Sequence, residues 1–363
     1  MFHLGPREVL LGGAGALAAT GVGGLMSWRS ATGSMSDYER YSAQLRSSPE
    51  ETATVRELVR FASLAANSHN TQPWLFHAGD DGGLQLLPDF TRRLSVVDPD
   101  DHHMFISLGC AAENLSIAAR AKGWTCETSP DPRAGLRFLL SKSEARPDPL
   151  FDAILTRQST RALYDGRVPP KRDLDALAQA AARPGVSLTL LMDRPILDKL
   201  RDMTIAANSA QISDPAFVSE LKSWIRFNPR AAMSTGDGLF AASTGNPTLP
   251  GWIGELMFDQ LYSARSENEK LASQIDSSPG VAVFVGEADR PANWIDVGRA
   301  CQRFLLTATQ LGLKCAFLNQ AVEWSGFGPK LRPSSARPVS APTSSYDLAM
   351  GPRCPFRRAG WSN

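Results

Sequence analysis

The stretch Gly109-Cys110-Ala111-Ala112-Glu113-Asn114-Leu115, whose helical pattern stops at Gly123, has an echo 189 residues downstream. There Gly298-Arg299-Ala300-Cys301-Gln302-Arg303-Phe304 runs on to Gly312, and Ala119 falls on Ala308. A chain of 363 residues has room for two domains, or for one domain built from two similar halves. The echo favours the second reading, two copies of one α/β unit.

Each copy has its own run of elements. In the first, 54–66 carries apolar residues at helical spacing, Trp74-Leu75-Phe76 opens a strand, and Leu84–Leu87 and Leu94–Val97 read as two more. Asp98-Pro99-Asp100-Asp101 then leads into a helix over 103–123, ended by Gly123. In the second copy, helices are expected at 149–158, 171–183 and 294–311, and strands at Leu188–Met192, Val281–Val285 and Cys315–Leu318. The second copy also holds about 75 extra residues at 193–278, with helical stretches at 193–210, 214–226 and 252–275 and a Gly/Ser/Thr/Pro-rich loop at 234–251. An insertion of that length reads as a cover over a site, or as a helical subdomain or oligomer contact.

Lys and Arg number 38 against 37 Asp and Glu, a net charge of +1, so the whole chain has no electrostatic footprint for nucleic acid. The cysteines, five in number and widely spaced, form no CxxC, which fits neither a zinc ribbon nor a dense disulfide framework. His102-His103 beside Asp98, Asp100 and Asp101 reads as a polar helix start rather than a metal site, because adjacent histidines on a helix are expected to diverge. No GxSxG elbow announces a hydrolase nucleophile. Val9 to Trp28 is uncharged, with Arg7 before it and Arg29 after it, and reads as an export signal or a signal anchor. Its lead-in, Pro6-Arg7-Glu8-Val9-Leu10-Leu11, is a degenerate twin-arginine motif whose first Arg is Pro. The expected location is the periplasm, free or anchored to the membrane and facing it.

Two motifs carry chemistry. Arg157-x-Ser159-x-Arg161 places two guanidiniums and a hydroxyl on alternate residues at a helix end, a set suited to phosphate. Alone it reads sooner as a solvated surface turn. Asn67-Ser68-His69-Asn70-Thr71-Gln72-Pro73-Trp74 is rich in amide and hydroxyl groups, suited to the edge of a polar heterocycle and a polyol, or to an ordinary polar turn with Trp74 as core.

Taken together, the motifs resemble the nitroreductase superfamily of flavoproteins. Arg-x-Ser-x-Arg and a segment like Ala-Pro-Ser-Ser-x-Asn-x-Gln-Pro-Trp are family features, the latter matched by Ala65 to Trp74 with Ala66 for Pro and Asn67 for Ser. Asp296-x-Gly298-x-Ala300-x-Gln302 followed by Leu311-Gly312-Leu313 is similar to the family's later helix. Because one chain supplies both motifs, the pattern resembles the Acg branch, in which two half-folds fuse into a pseudo-dimer holding FMN beneath a lid. Glu220-Leu-Lys-Ser-Trp224-Ile-Arg226 in the insertion also looks like that branch.

The resemblance implies an α+β, nitroreductase-like fold of two fused half-folds, each with a mixed, mainly antiparallel sheet flanked by helices. Residues 1–35 are then the signal or anchor, 36–148 the first half, and 149–363 the second half with a helical lid insertion at 193–278. It implies that Arg157, Ser159 and Arg161 bind the FMN phosphate and ribityl chain. Asn67, Ser68 and Asn70 would contact the flavin ring, with Gln72 and Trp74 in the same segment and Arg358 a candidate from the C-terminal basic pair. The implied activity is hydride transfer from NAD(P)H through FMN to a nitro- or quinone-like acceptor. The alternative is an FMN-sequestering protein whose lid blocks turnover. In either case the flavin does the redox chemistry, and no side chain stands out as a catalytic acid or base. The expected partners are FMN, NAD(P)H and a small electron acceptor, with the N-terminal segment meeting the membrane or the export machinery.

Overall fold

The computed structural model describes residues 28–48, 53–79, 83–324 and 346–351. The segment read as a signal falls almost wholly outside these residues, as do Arg357 and Arg358. Among the described residues no helix is long and apolar enough to cross a membrane. The chain forms two compact units, one of residues 1–45 with 224–261 and one of residues 46–223 with 262–363. These units are drawn differently from the two sequence halves, because only the middle of the 193–278 insertion joins the N-terminal segment.

In the smaller unit, α1 (Met35–Leu45) lays Tyr38 against Phe240, with ring centroids 4.3 Å apart. In the larger unit the first half runs α2 (Val55–Ala62), β1 (Trp74–Ala78), β2 (Gly83–Pro88), α3 (His102–Ala121), β3 (Trp124–Asp131) and β4 (Gly135–Lys142). The second half runs α4 (Pro149–Thr156), α5 (Lys171–Ala181), β5 (Val186–Leu191), α6 (Arg194–Ile212) and α7 (Pro215–Ser223). The chain then enters the smaller unit as β6 (Ile225–Arg226), α8 (Pro229–Thr235), β7 (Leu239–Phe240) and α9 (Gly251–Leu261). It returns as α10 (Ala264–Ser277), β8 (Gly280–Gly286), α11 (Pro291–Gln310), β9 (Lys314–Phe317), α12 (Gln320–Glu323) and β10 (Tyr346–Gly351).

Local chemistry sets several of these boundaries. Thr54 caps α2 through a reciprocal box: its Oγ1 accepts from the Glu57 amide at 3.3 Å, and its own amide donates to the Glu57 carboxylate at 2.7 Å. Gly123 and Gly312 take positive φ just past α3 and α11, where a side chain would be strained. The helical stretch 252–275 is two helices, because Ser263 caps α10 by accepting from the Ser266 amide.

Both sheets have the same order. The first is β1-β2-β4-β3 and the second β5-β8-β10-β9, so β1 matches β5, β2 matches β8, β3 matches β9 and β4 matches β10. Every described strand pair in both sheets is antiparallel. The mixed character expected of each sheet is therefore reduced to one parallel bridge, Ser159 to Cys315, at the border of the second.

Two sequence expectations need correcting. Leu94–Val97 is not a strand. The amides of Val96 and Val97 both donate to the Glu220 carboxylate at 3.0 Å, and Asp98 N donates to the Leu94 carbonyl at 2.7 Å. A side chain from α7 and a turn take the hydrogen bonds a ladder would have used. The β3–β4 hairpin is the strand pair missing from the sequence reading. Pro130 sits in β3, which is an edge strand and tolerates the lost donor.

At the centre α3 and α11 cross, both twenty residues long and related by the repeat spacing from end to end. A Cβ on Gly109 would lie 2.1 Å from the Ile295 carbonyl oxygen, and one on Gly298 would lie 2.0 Å from the Ile106 carbonyl oxygen. Ile106 and Ile295 are themselves repeat equivalents. The contact is thus self-complementary, as at a two-fold axis. Apolar residues of both helices, including Leu108, Leu115, Val297 and Phe304, form one core cluster with both sheets.

Candidate functional site

Arg157 follows the last turn of α4 and is buried. Its Nη2 donates to the Leu64 carbonyl at 3.4 Å, and its Nε is buried without a partner. No carboxylate pairs with it among the described residues. Burial, and after it the charge of Arg46, push its pKa down. Arg46 donates to the carbonyls of Leu155 at 2.9 Å and Arg157 at 3.2 Å. A buried cation with a like charge beside it and no counter-ion is costly, and an anion placed there would relieve the cost.

The motif continues along β9, where Thr160 N donates to the Cys315 carbonyl at 2.8 Å. Alternate residues of extended chain share a side, which aligns Arg157, Ser159 and Arg161. Ser159 and Arg161 are exposed. The Arg161 guanidinium is nevertheless desolvated enough to lower its pKa.

The loop from the first half lies beside this strip. His69, Asn70 and Gln72 all have positive φ (48°, 52° and 50°). Three non-glycine residues in the left-handed region within four positions store local strain, which clusters at binding sites. The loop is braced from several sides. Asn67 Oδ1 accepts from Gln72 N at 2.9 Å, Arg92 donates to the Thr71 carbonyl at 2.9 Å, and Ser68 N donates to Ser107 Oγ on α3 at 3.4 Å. The Asn67 amide is therefore committed to the loop itself. Ser68 Oγ lies 3.2 Å from His69 Nδ1. Trp74 is buried and belongs to the core cluster.

Gln302 of α11 joins the loop to the helix pair. Its Oε1 accepts from Ala66 N at 3.3 Å, its Nε2 donates to Asn114 Oδ1 at 2.8 Å, and Asn114 Nδ2 donates to the Phe61 carbonyl at 3.0 Å. This buried chain of amides runs from the second half into the first. Asp296, six residues before the same motif's Gln, instead pairs with Arg183 at 2.7 Å.

His69 is where the halves meet electrostatically. Burial, then the charges of His103 and Arg161, lower its pKa from 6.5 to about 4. Folded His69 therefore binds fewer protons than unfolded His69 between those values. Its contribution to stability is intact above about pH 6.5 and is lost as pH falls toward 4. An NMR titration should find its midpoint near pH 4, and His69→Gln should flatten the loss of stability on acidification. A midpoint near 6.5 would mean that the loop does not pack against Arg161 and His103.

Behind the loop, at the start of α3, the two adjacent histidines do not diverge. Their ring centroids are 3.9 Å apart. Asp98 Oδ1 lies 3.1 Å from His102 Nδ1 and 3.5 Å from His103 Nδ1, and Asp98 also accepts from the His103 and Met104 amides at 3.0 Å. One buried carboxylate thus caps the helix and faces both rings, while Asp100 Oδ1 lies nearer still to His102 Nδ1, at 2.5 Å. Asp98, His102 and His103 offer three ligand-type atoms within 4.8 Å of one another. Burial opposes charge on His103, but its hydrogen bond to Asp98 and the Asp98 charge lift its pKa.

No protein-family model matches the chain. A Mycobacterium tuberculosis protein provisionally named NAD(P)H nitroreductase Rv3131 is 26% identical over 280 residues, covering 75% of this chain and 78% of its own. The acg protein of the same organism, also provisionally named an NAD(P)H nitroreductase, is 24% identical over 284 residues, covering 75% and 82%. Over three quarters of its length the chain is thus similar to proteins named nitroreductases, acg among them. Among solved structures, a nitroreductase with bound FMN from Bacteroides fragilis covers 60% of this chain and 95% of its own at 16% identity, with a TM-score of 0.36.

Within this site, sequence reasoning missed Arg46, Asn114 and the electrostatic part of His69. Asn114 carried a signal, since it lies inside the repeated helix segment beside the position that matches Gln302. Arg46 carried none, because it acts through backbone carbonyls 109 and 111 positions away.

Proposed function

We propose that the chain is an FMN-binding oxidoreductase of nitroreductase type, passing hydride from NAD(P)H to a nitro- or quinone-like acceptor. The buried, uncompensated Arg157 carries the reading. Its guanidinium, with Arg161 and the Ser159 hydroxyl, would take the phosphate of the cofactor through charge-assisted bonds. The strained loop would present the amides of Asn70 and Gln72 and the Ser68 hydroxyl to the polar edge of the ring system. Gln302 and Asn114 hold the loop from behind. His69 stays neutral at physiological pH, so it can donate or accept a hydrogen bond there without adding charge. When bound, FMN supplies the hydride chemistry, and the protein's part is binding, orientation and exclusion of water. With residues 1–35 read as an export signal or anchor, the proposed place of action is the periplasm.

The residues also support one cofactor per chain. Residues 63–73 connect α2 to β1, whereas the equivalent connection from α5 to β5 is only 182–185, so the second half has no counterpart of the polar loop. The test is anaerobic addition of NADPH to the purified yellow protein. Rapid bleaching of the visible flavin absorbance, with one FMN per chain, is expected. Reduction by dithionite alone would favour sequestration, and colourless protein that fails to take up FMN would sink both readings.

A further inference from the structure

A cleft of about 720 Å³ opens between α3, the start of α4, α5 and α11. It is separate from the Arg157 strip, and nothing proposed above uses it. Arg120, Arg183, Arg299 and Arg303 all line it, with Glu113 and Asp148. Arginines from three segments of chain converge there for a local reason. Glu113 is buried, and its two oxygens take Arg299 Nε at 2.9 Å and Arg303 Nη1 at 2.8 Å. Burial works against the Glu113 charge, but the two arginines outweigh it and hold the carboxyl below its ordinary range. Arg120 is 3.4 Å from Asp148, and Arg183 is fixed from behind by Asp296.

Each of these guanidiniums gives a single N–H to its carboxylate. A guanidinium has five donors, so most of the hydrogen-bonding capacity of the set is left for the cleft. Four positive groups also outnumber the three carboxylates that position them. Leu150, Ala176 and Ala180 give the lining a small apolar part. The volume lies in the range of small-molecule sites and far exceeds what a bare anion fills.

The origin of the cleft follows from the repeat. Arg183 sits in the short connection 182–185, on the second-half side where the first half has the longer loop 63–73. Glu113 and Arg303 occupy the repeat positions of Gln302 and Asn114, the amide pair that braces that loop. Where one half places a loop on amides, the other leaves an opening faced with arginines.

We propose that this cleft binds a phosphate monoester of a small organic molecule, its phosphate forked by Arg183, Arg299 and Arg303 and its organic part against Ala176 and Ala180. The test is calorimetric titration of the full chain with phenyl phosphate and, separately, inorganic phosphate at fixed ionic strength. Phenyl phosphate should bind several-fold more tightly than inorganic phosphate. Arg183→Gln should weaken it by about tenfold or more, the usual size for a lost charge-assisted bond. Arg120→Gln, at a more exposed guanidinium, should weaken it less and serves where Arg183→Gln fails to fold. Arg161→Gln should leave it unchanged, which separates this cleft from the other phosphate-type site. Binding that survives both cleft variants, that disappears in Arg161→Gln, or that is undetectable at millimolar ligand overturns the proposal. Equal affinity for inorganic phosphate overturns the ester assignment.

Discussion

Gly298→Ala should cost at least about 3 kcal/mol of unfolding free energy, the upper end of what overpacking does. The added methyl carbon would lie 2.0 Å from the Ile106 carbonyl oxygen and 3.0 Å from Gly109 Cα. Those are backbone atoms of a helix buried on almost every side, so no side chain can rotate away to make room. Gly109→Ala should cost a similar amount, since its methyl would meet the Ile295 carbonyl oxygen at 2.1 Å. Because both substitutions force the same two helices apart, the double variant should lose less than the sum of the singles. Urea unfolding of the three variants would measure this. Full additivity, or a loss below about 1 kcal/mol in either single variant, would mean that the crossing is looser than described.

Arg157→Met should have effects of opposite sign on two measurements. Without flavin the variant should be more stable than the parent, by on the order of 1 kcal/mol, because a buried charge with no counter-ion is replaced by an apolar chain of similar length. Its affinity for FMN should fall by about tenfold to a hundredfold, corresponding to roughly 1.5–3 kcal/mol for a charge-assisted phosphate bond. Thermal unfolding of flavin-free protein and fluorescence titration with FMN supply the two readouts. If the flavin-free variant is instead destabilised while FMN affinity holds, Arg157 is a structural donor to Leu64 and the phosphate assignment fails.

The helix pair, the polar loop and the arginine strip could all be read in the sequence, each for a physical reason. Gly109 and Gly298 stood out as the start of the repeated segment, and the structure supplies the reason, backbone contact between crossing helices that only glycine permits. The two terminal glycines marked where each helix stops. The loop 67–73 showed itself by composition, since amides and hydroxyls gathered between a helix and a strand are unusual for core-forming chain. What stayed hidden depended on partners distant in sequence. Leu94–Val97 has the alternation of a strand, and only the carboxylate of Glu220 in α7 makes it a turn. The β3–β4 hairpin was obscured by Pro130 and Pro132, which an edge strand and a turn tolerate. Adjacent histidines on an ideal helix do diverge in direction. Those of α3 converge at the helix start, where Asp98 faces both and Asp100 lies nearer still to His102. The orphaned state of Arg157 could not be seen at all, since it is defined by what the described residues fail to bring near it.

The joining of the halves through one chain bears on how such a protein can change over generations. When two identical subunits face each other across a two-fold axis, a single mutation strikes both faces at once, and a change that helps one side must be tolerated on the other. Here each mutation is one-sided. Ser107 accepts a hydrogen bond from the strained loop, while its counterpart Asp296 grips an arginine. Gln302 braces a backbone amide, while its counterpart Glu113 sits between two cations. Neither pair would survive as a matched set, because Asp296 and Glu113 would put carboxylates where the loop offers only neutral groups. Covalent linkage has released the two faces from having to be copies, and their chemistries have drifted apart while the scaffold beneath them has not.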